Sequence, residues 1–177
     1  MPDKVGKGRI RNSNFNVKDP DGHTVEIVQY EPDGWSMREK GRHMSEARVS
    51  TRMLHAGILV GDLEAAMKFY RDVLGFQETW RGSRDGKLLD WVNMQVPDGE
   101  DYVEFMLYSK LPPPNGRGVV HHIALEAPDM AQAVVRLEAR PARKSYTRPI
   151  EPRTGTNRRR QLNLFDPDGT RTELMEP

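Results

Sequence analysis

The sequence predicts an α+β protein assembled from repeated β-α-β-β-β units. Two observations carry the prediction. A strand-like apolar run, an Asp and then a helix pattern occur twice, in "LHAGILVGDLEAAMKFYRDVLGF" and in "HHIALEAPDMAQAVVRLEAR". A turn followed by a short strand occurs three times, in "NVKDPDGHTVEIVQYEP" from Asn16, "VPDGEDYVEFMLY" from Val96 and "NLFDPDGTRTELMEP" from Asn163.

The elements follow from local chemistry. In the D-P-D-G copies Pro presets φ and Gly accepts positive φ, which suits a hairpin turn. A glutamate lies seven residues beyond the first Asp of each, and the middle copy has one extra residue, so Glu26, Glu104 and Glu173 align. His55 precedes Asp62 by seven residues and His122 precedes Asp129 by seven, so His122 corresponds to His55 and His121 is the odd neighbour. Neighbouring strand residues point to opposite faces, so His121 and His122 cannot share a role. Asp62 and Asp129 are N-cap residues. Met67, Tyr70, Val73 and Leu74 form an apolar helical stripe closed by Gly75 at C′, and Met130, Val134 and Leu137 form the second stripe.

In the first unit "FQETWRG", "KLLDWVNMQV" and "YVEFMLY" supply three strands after the helix. In the second, "RKSYTRPIE", "RRQLNLFD" and "TRTELME" do so, with Pro149 weakening the first. The predicted organisation is a partial module of two strands in 1–30, a linker in 31–51 with room for a short helix, a complete module in 52–110, a Pro/Gly loop in 111–117 and a second complete module in 118–177. The orphan strands of 10–30 would expose unpaired edges unless they add to another sheet, which points to a truncated parent or strand exchange in a homodimer.

Composition narrows the function classes. Lys plus Arg number 27 and Asp plus Glu 26, so no net field draws the chain to nucleic acid or membrane. Cysteine is absent, which excludes disulfides, thiolate metal sites and thiol nucleophiles. No apolar run reaches the roughly 18 residues of a membrane span, and a cytoplasmic location is expected. The run Arg158, Arg159, Arg160 reads as a solvated strand end or as an anion site.

Each complete unit has one histidine in its first strand and one glutamate in its last. Two imidazoles and two carboxylates, if they converge, suit a borderline divalent ion such as Ni, Zn, Co, Mn or Fe. Sequence separation does not show convergence. Trp80, Trp91, Phe105 and Met106 lie in strands that either pack a core or line a cavity.

The stretch "RMLHAGILVGDLEAAMKFYRDVLGF", with "HHIAL" and "DPDGTRTELME" later in the chain, resembles the vicinal oxygen chelate superfamily and is closest in motif pattern to glyoxalase I. The superfamily also contains extradiol dioxygenases, epimerases and bleomycin-resistance proteins. The resemblance implies paired βαβββ modules curled into a mixed-sheet cup around a divalent metal. It implies His55, Glu104, His122 and Glu173 as ligands, Glu173 first and Glu104 second as catalytic base, and no ligand role for His121 or Glu26. It implies a lyase or isomerase that moves a proton beside a metal-chelated carbonyl or enediolate of a small α-oxygenated substrate. An extradiol dioxygenase on Fe(II) and a metal-free binding protein of bleomycin-resistance type are the alternatives. The first lacks its Tyr, replaced by Asn163, and has no histidine after His122; the second generally lacks the ligands that are present here. Leu59 and Tyr108 stand where glyoxalase I has an Arg and an Asn for glutathione, which argues for a different substrate.

Overall fold

The computed structural model describes residues 4–177, which divide into two compact units, one ending at Arg48 and one running Val49–Pro177. In the first, β1 (Gly6–Lys7), β2 (Ser13–Lys18) and β3 (Thr24–Gln29) form an antiparallel sheet in that order, followed by the one-turn helix α1 (Trp35–Arg38). The two expected strands are present, and the short β1 adds a third. The D-P-D-G turn closes between them: Gly22 has φ 88°, its N–H donates to the Asp19 carbonyl, and the Asp19 side chain accepts from the His23 N–H at 2.7 Å. Ile27, Val28 and Tyr30 are exposed, so this small sheet buries little of its own apolar surface.

The second unit is one eight-stranded mixed sheet. Its elements are β4 (Met53–Val60), α2 (Leu63–Met67), β5 (Gln77–Gly82), β6 (Trp91–Gln95), β7 (Tyr102–Leu107), β8 (His122–Glu126), α3 (Met130–Glu138), β9 (Arg153–Thr154), β10 (Arg160–Phe165) and β11 (Arg171–Met175). The strand order β5-β6-β7-β4-β8-β11-β10-β9 repeats one pattern on either side of the antiparallel β4–β8 seam, with β4–β7 and β8–β11 parallel. This is the expected pair of βαβββ modules in a curled sheet.

Period-two alternation divides the sheet into two faces. Val92, Met94, Phe105, Leu162 and Leu174 point to the helix side and are buried. Met130 and Ala133 of α3 pack on Leu162 and Leu174 with Val134 and Leu137 at the edge. Tyr70 meets the Phe105 ring edge-on at 5.0 Å, so Phe105 is core and does not line the cavity. Both predicted N-caps form: Asp62 accepts from the Ala65 N–H at 3.0 Å and Asp129 from the Gln132 N–H at 2.9 Å.

Two expectations fail locally. Val73 is 72% exposed, although the 3.6-residue stripe places it inward. After Met67 the helix widens to π geometry over Lys68–Val73, with the Leu74 N–H on the Phe69 carbonyl, and the extra residue per turn rotates Val73 outward before Gly75 at φ 79° ends it. The segment "RKSYTRPIE" forms no strand. Pro141 starts a 3-10 turn at Pro141–Lys144, and only Arg153–Thr154 pairs with β10. Pro149 and Pro152 have no N–H for a ladder, and the Tyr146 hydroxyl instead accepts from the Phe165 N–H at 3.1 Å. Likewise "KLLDWVNMQV" becomes strand only from Trp91.

Candidate metal centre

The second face of the sheet carries the polar residues. His55 and Gly57 on β4, Tyr102 and Glu104 on β7, His122 on β8 and Arg171 and Glu173 on β11 share it through cross-strand pairs: His55 with Tyr102, Gly57 with both Glu104 and His122, and Arg171 with His122. Residues from both modules therefore meet at the seam.

Three of the expected ligands converge. One donor atom each from His55, Glu104 and His122 lies within 4.8 Å of the others. The His55 and His122 Nε2 atoms are 3.0 Å apart, and Glu104 Oε1 is 3.6 Å from His122 Nε2. The fourth expected ligand, Glu173, stands just outside this triad with Oε2 4.0 Å from His122 Nε2. Metal–N and metal–O bonds of about 2.0–2.2 Å place donors of one ion about 3–4.4 Å apart. The two imidazoles and the Glu104 carboxylate fit a divalent ion in chemistry and spacing. His121 lies outside β8, and Glu26 belongs to the first unit.

Burial sets the protonation of the donors. It drops His55 to a pKa of about 3 and His122 to about 2, each helped by the nearby Arg171 charge, so both imidazoles are neutral. Burial and the neighbouring Glu173 push Glu104 up to about 7, and burial raises Glu173 as well, with Arg171 opposing both. A cation on these donors would reverse the shift on Glu104.

Two residues that motif reading missed complete the site. A Cβ on Gly57 would lie 1.9 Å from His122 Cε1, so the His122 ring occupies the space that only glycine leaves. A glycine inside a strand run is the available signal. Arg171 places Nη2 2.6 Å from His122 Nδ1. A guanidinium only donates, so this contact is satisfied when Nδ1 accepts and the ring proton sits on Nε2, facing His55, whereas the Val120 carbonyl bonds a protonated ring nitrogen. Cation binding through Nε2 requires that proton to move to Nδ1 and Arg171 to withdraw. Arg171 is legible only as a charge two residues before Glu173, hence on the same face.

The two modules also place matching amides. Asn93 on β6 pairs with Glu104 and Asn163 on β10 with Glu173, and both Oδ1 atoms are buried without a hydrogen-bond partner. Beside the cluster is a cavity of about 390 Å³ whose lining includes Trp80, Trp91, Glu104, Arg171 and Glu173. Met106 lines a neighbouring cavity with Tyr108. Leu59 is fully buried, and Arg158, Arg159 and Arg160 form an exposed strand end.

Residues 52–174 match the family described as Glyoxalase/Bleomycin resistance protein/Dioxygenase superfamily. Among solved structures, methylmalonyl-CoA epimerase from Mycobacterium tuberculosis is 25% identical with a TM-score of 0.58, over 77% of this chain and 94% of that one. A Streptomyces coelicolor methylmalonyl-CoA epimerase is 28% identical with a TM-score of 0.53, over 72% and 97%. The 2,3-dioxygenase LapB from Pseudomonas sp. KL28 shares the fold at 18% identity and a TM-score of 0.69, over 100% of this chain and 62% of that one. A curated relative, "Uncharacterized protein YwbC" of Bacillus subtilis (strain 168), is 33% identical over 92 residues, which cover 51% of this chain and 71% of that protein. No helix among the described residues is long and apolar enough to cross a membrane. With the fold, the donor cluster and the match over 52–174 in agreement, this chain belongs to the Glyoxalase/Bleomycin resistance protein/Dioxygenase superfamily.

Proposed function

We propose that the chain is a metal-dependent lyase or isomerase of glyoxalase type, which moves a proton on the carbon beside a chelated carbonyl or enediolate of a small α-oxygenated substrate. The observation that carries this reading is the His55–Glu104–His122 triad within 4.8 Å, with a second carboxylate, Glu173, at its edge. When bound, a divalent ion supplies Lewis-acid stabilisation of negative charge on substrate oxygen. His55, His122 and Glu104 hold the cation. Glu173, 4.0 Å from His122 Nε2 and outside the triad, takes the proton, and Glu104 is the second choice for that role. Burial raises Glu173, which strengthens it as a base. The similarity to methylmalonyl-CoA epimerases at 25% and 28% identity supports proton transfer next to a carbonyl over ring cleavage.

The test is deuterium wash-in from D2O, followed by proton NMR, on methylmalonyl-CoA and on the hemithioacetal of methylglyoxal and glutathione. Protein loaded in turn with Ni, Co, Zn or Mn should exchange the proton on at least one of them. Metal content should be near one per chain, should collapse in His122→Ala and should persist in His121→Ala. Glu173→Gln should keep the metal and lose exchange by at least about a hundredfold. Oxygen uptake with catechol and Fe(II), without exchange on either substrate, would instead identify a dioxygenase. Strand exchange of residues 10–30 in a homodimer is part of the same proposal, and the native mass tests it.

A further inference from the structure

Three arginines of the second unit are paired with carboxylates: Arg52 reaches Glu126 at 3.0 Å, Arg81 reaches Glu78 at 2.6 Å and Arg143 reaches Glu138 at 2.7 Å. Arg84, Arg153 and Arg171 differ. All three line the 390 Å³ cavity beside the donor cluster, and among the described residues none has a carboxylate within ion-pair distance. The same three also line the adjoining cavity, where Asp90 stands with Asn163 and Tyr108. They come from three separate elements: the β5–β6 loop, β9 and β11. Arg84 is steadied over the Trp91 ring, with Cζ 5.1 Å from its centroid, and Trp80 and Trp91 give the cavity two indole faces.

In the 390 Å³ cavity three guanidinium groups face two carboxylates, Glu104 and Glu173, so this cavity is electropositive, and a divalent cation on the same donors enlarges that excess. A neutral ligand would leave these charges unanswered.

We propose that Arg84, Arg153 and Arg171 make this cavity an oxyanion-binding site, so that the substrate carries a carboxylate or phosphate on a planar or apolar body that lies against Trp80 and Trp91. This deepens the proposed function and rests on it for the chelating end of the substrate. A guanidinium fork binds either oxyanion with two parallel N–H···O bonds, and such charge-assisted contacts are about twice as strong as neutral ones.

The test separates anion binding from chelation. Protein loaded with Zn, which is redox-inert, is titrated calorimetrically with 3,4-dihydroxybenzoate, 3,4-dihydroxyphenyl phosphate and neutral 3,4-dihydroxybenzamide, all of which present the same vicinal oxygens. At least one anion should bind about tenfold or more tighter than the amide, and whichever anion is tighter identifies the group. That preference should shrink with added salt and vanish in the Arg84→Ala/Arg153→Ala double variant, whose substituted positions are exposed and whose folding is checked by circular dichroism. Equal affinity for anions and amide, a preference that survives the double variant, or no binding of any probe to zinc-loaded protein would overturn the proposal. Zinc stoichiometry is measured on the same samples. Failure to take up zinc strikes the metal reading itself, and the anions then have to show the same arginine-dependent binding to metal-free protein for the oxyanion site to stand.

Discussion

The Arg171 guanidinium lies 2.6 Å from His122 Nδ1 across the β8–β11 pair, a contact that favours the tautomer with its Nε2 lone pair withheld from a cation. Histidines in metal sites usually donate Nδ1–H to a carboxylate or carbonyl, which leaves Nε2 free. Arg171 does the opposite and adds a positive charge beside the donors.

Arg171→Met is therefore expected to tighten zinc binding by about tenfold or more, the scale on which partners of ligating histidines act. Isothermal titration of the metal-free protein measures it. Weaker binding in this variant would show that the guanidinium supports the donor set instead of competing for it.

Metal affinity should depend on pH with a sign set by Glu104. Its pKa of about 7 means a cation must displace a proton below that pH, so affinity falls by about tenfold per unit as the pH drops beneath 7 and levels off above it. His55 and His122, at about 3 and about 2, offer no proton competition in this range. Glu104→Gln should flatten the profile while weakening binding overall. For the metal-free fold the signs oppose. The raised Glu104 pKa gives stability that is present below 4.5 and lost as pH rises through about 7. The depressed histidines give stability that is present above 6.5 and lost as pH falls toward 3. Thermal melts of metal-free protein across this range should show an acid limb that shrinks in His122→Ala.

Gly57→Ala should impair the centre without unfolding the sheet. The added methyl would meet the His122 ring at 1.9 Å from Cε1, so the imidazole has to swing away. Zinc affinity is expected to fall by about a hundredfold while the far-ultraviolet circular dichroism stays unchanged. Wild-type affinity in this variant would show that the ring has room to move.

Met130→Ala provides the converse. Met130 is fully buried against Leu162 and Leu174 on the helix side of the sheet, and truncation should cost about 2–5 kcal/mol. Zinc affinity of the folded fraction should stay within about twofold, because the two faces are separated by the strand backbone. Denaturant melts and calorimetry measure the two quantities independently.

Much of this centre is legible in the chain. The seven-residue interval from histidine to aspartate, kept in both halves, selects His122 over His121, and the D-P-D-G register selects Glu173. Both readings rest on strand alternation and turn chemistry, which are local rules. What stays hidden depends on tertiary contact or on breaks in those rules. Val73 turns outward because the helix widens by one residue, a change that apolar spacing does not encode. The strand expected around "RKSYTRPIE" gives way because Pro149 and Pro152 outweigh its β-formers and Tyr146 satisfies the Phe165 amide. Gly57 and Arg171 act only through an imidazole that folding brings across from another strand.

The seam between β4 and β8 has a consequence for endurance. His55 and Glu104 come from one half and His122 and Glu173 from the other, so the proposed centre resides in the join and in neither half alone. Thermal breathing that parts those two strands would scatter the four groups while each lobe keeps its own helix. Catalysis should die on warming before the molecule melts.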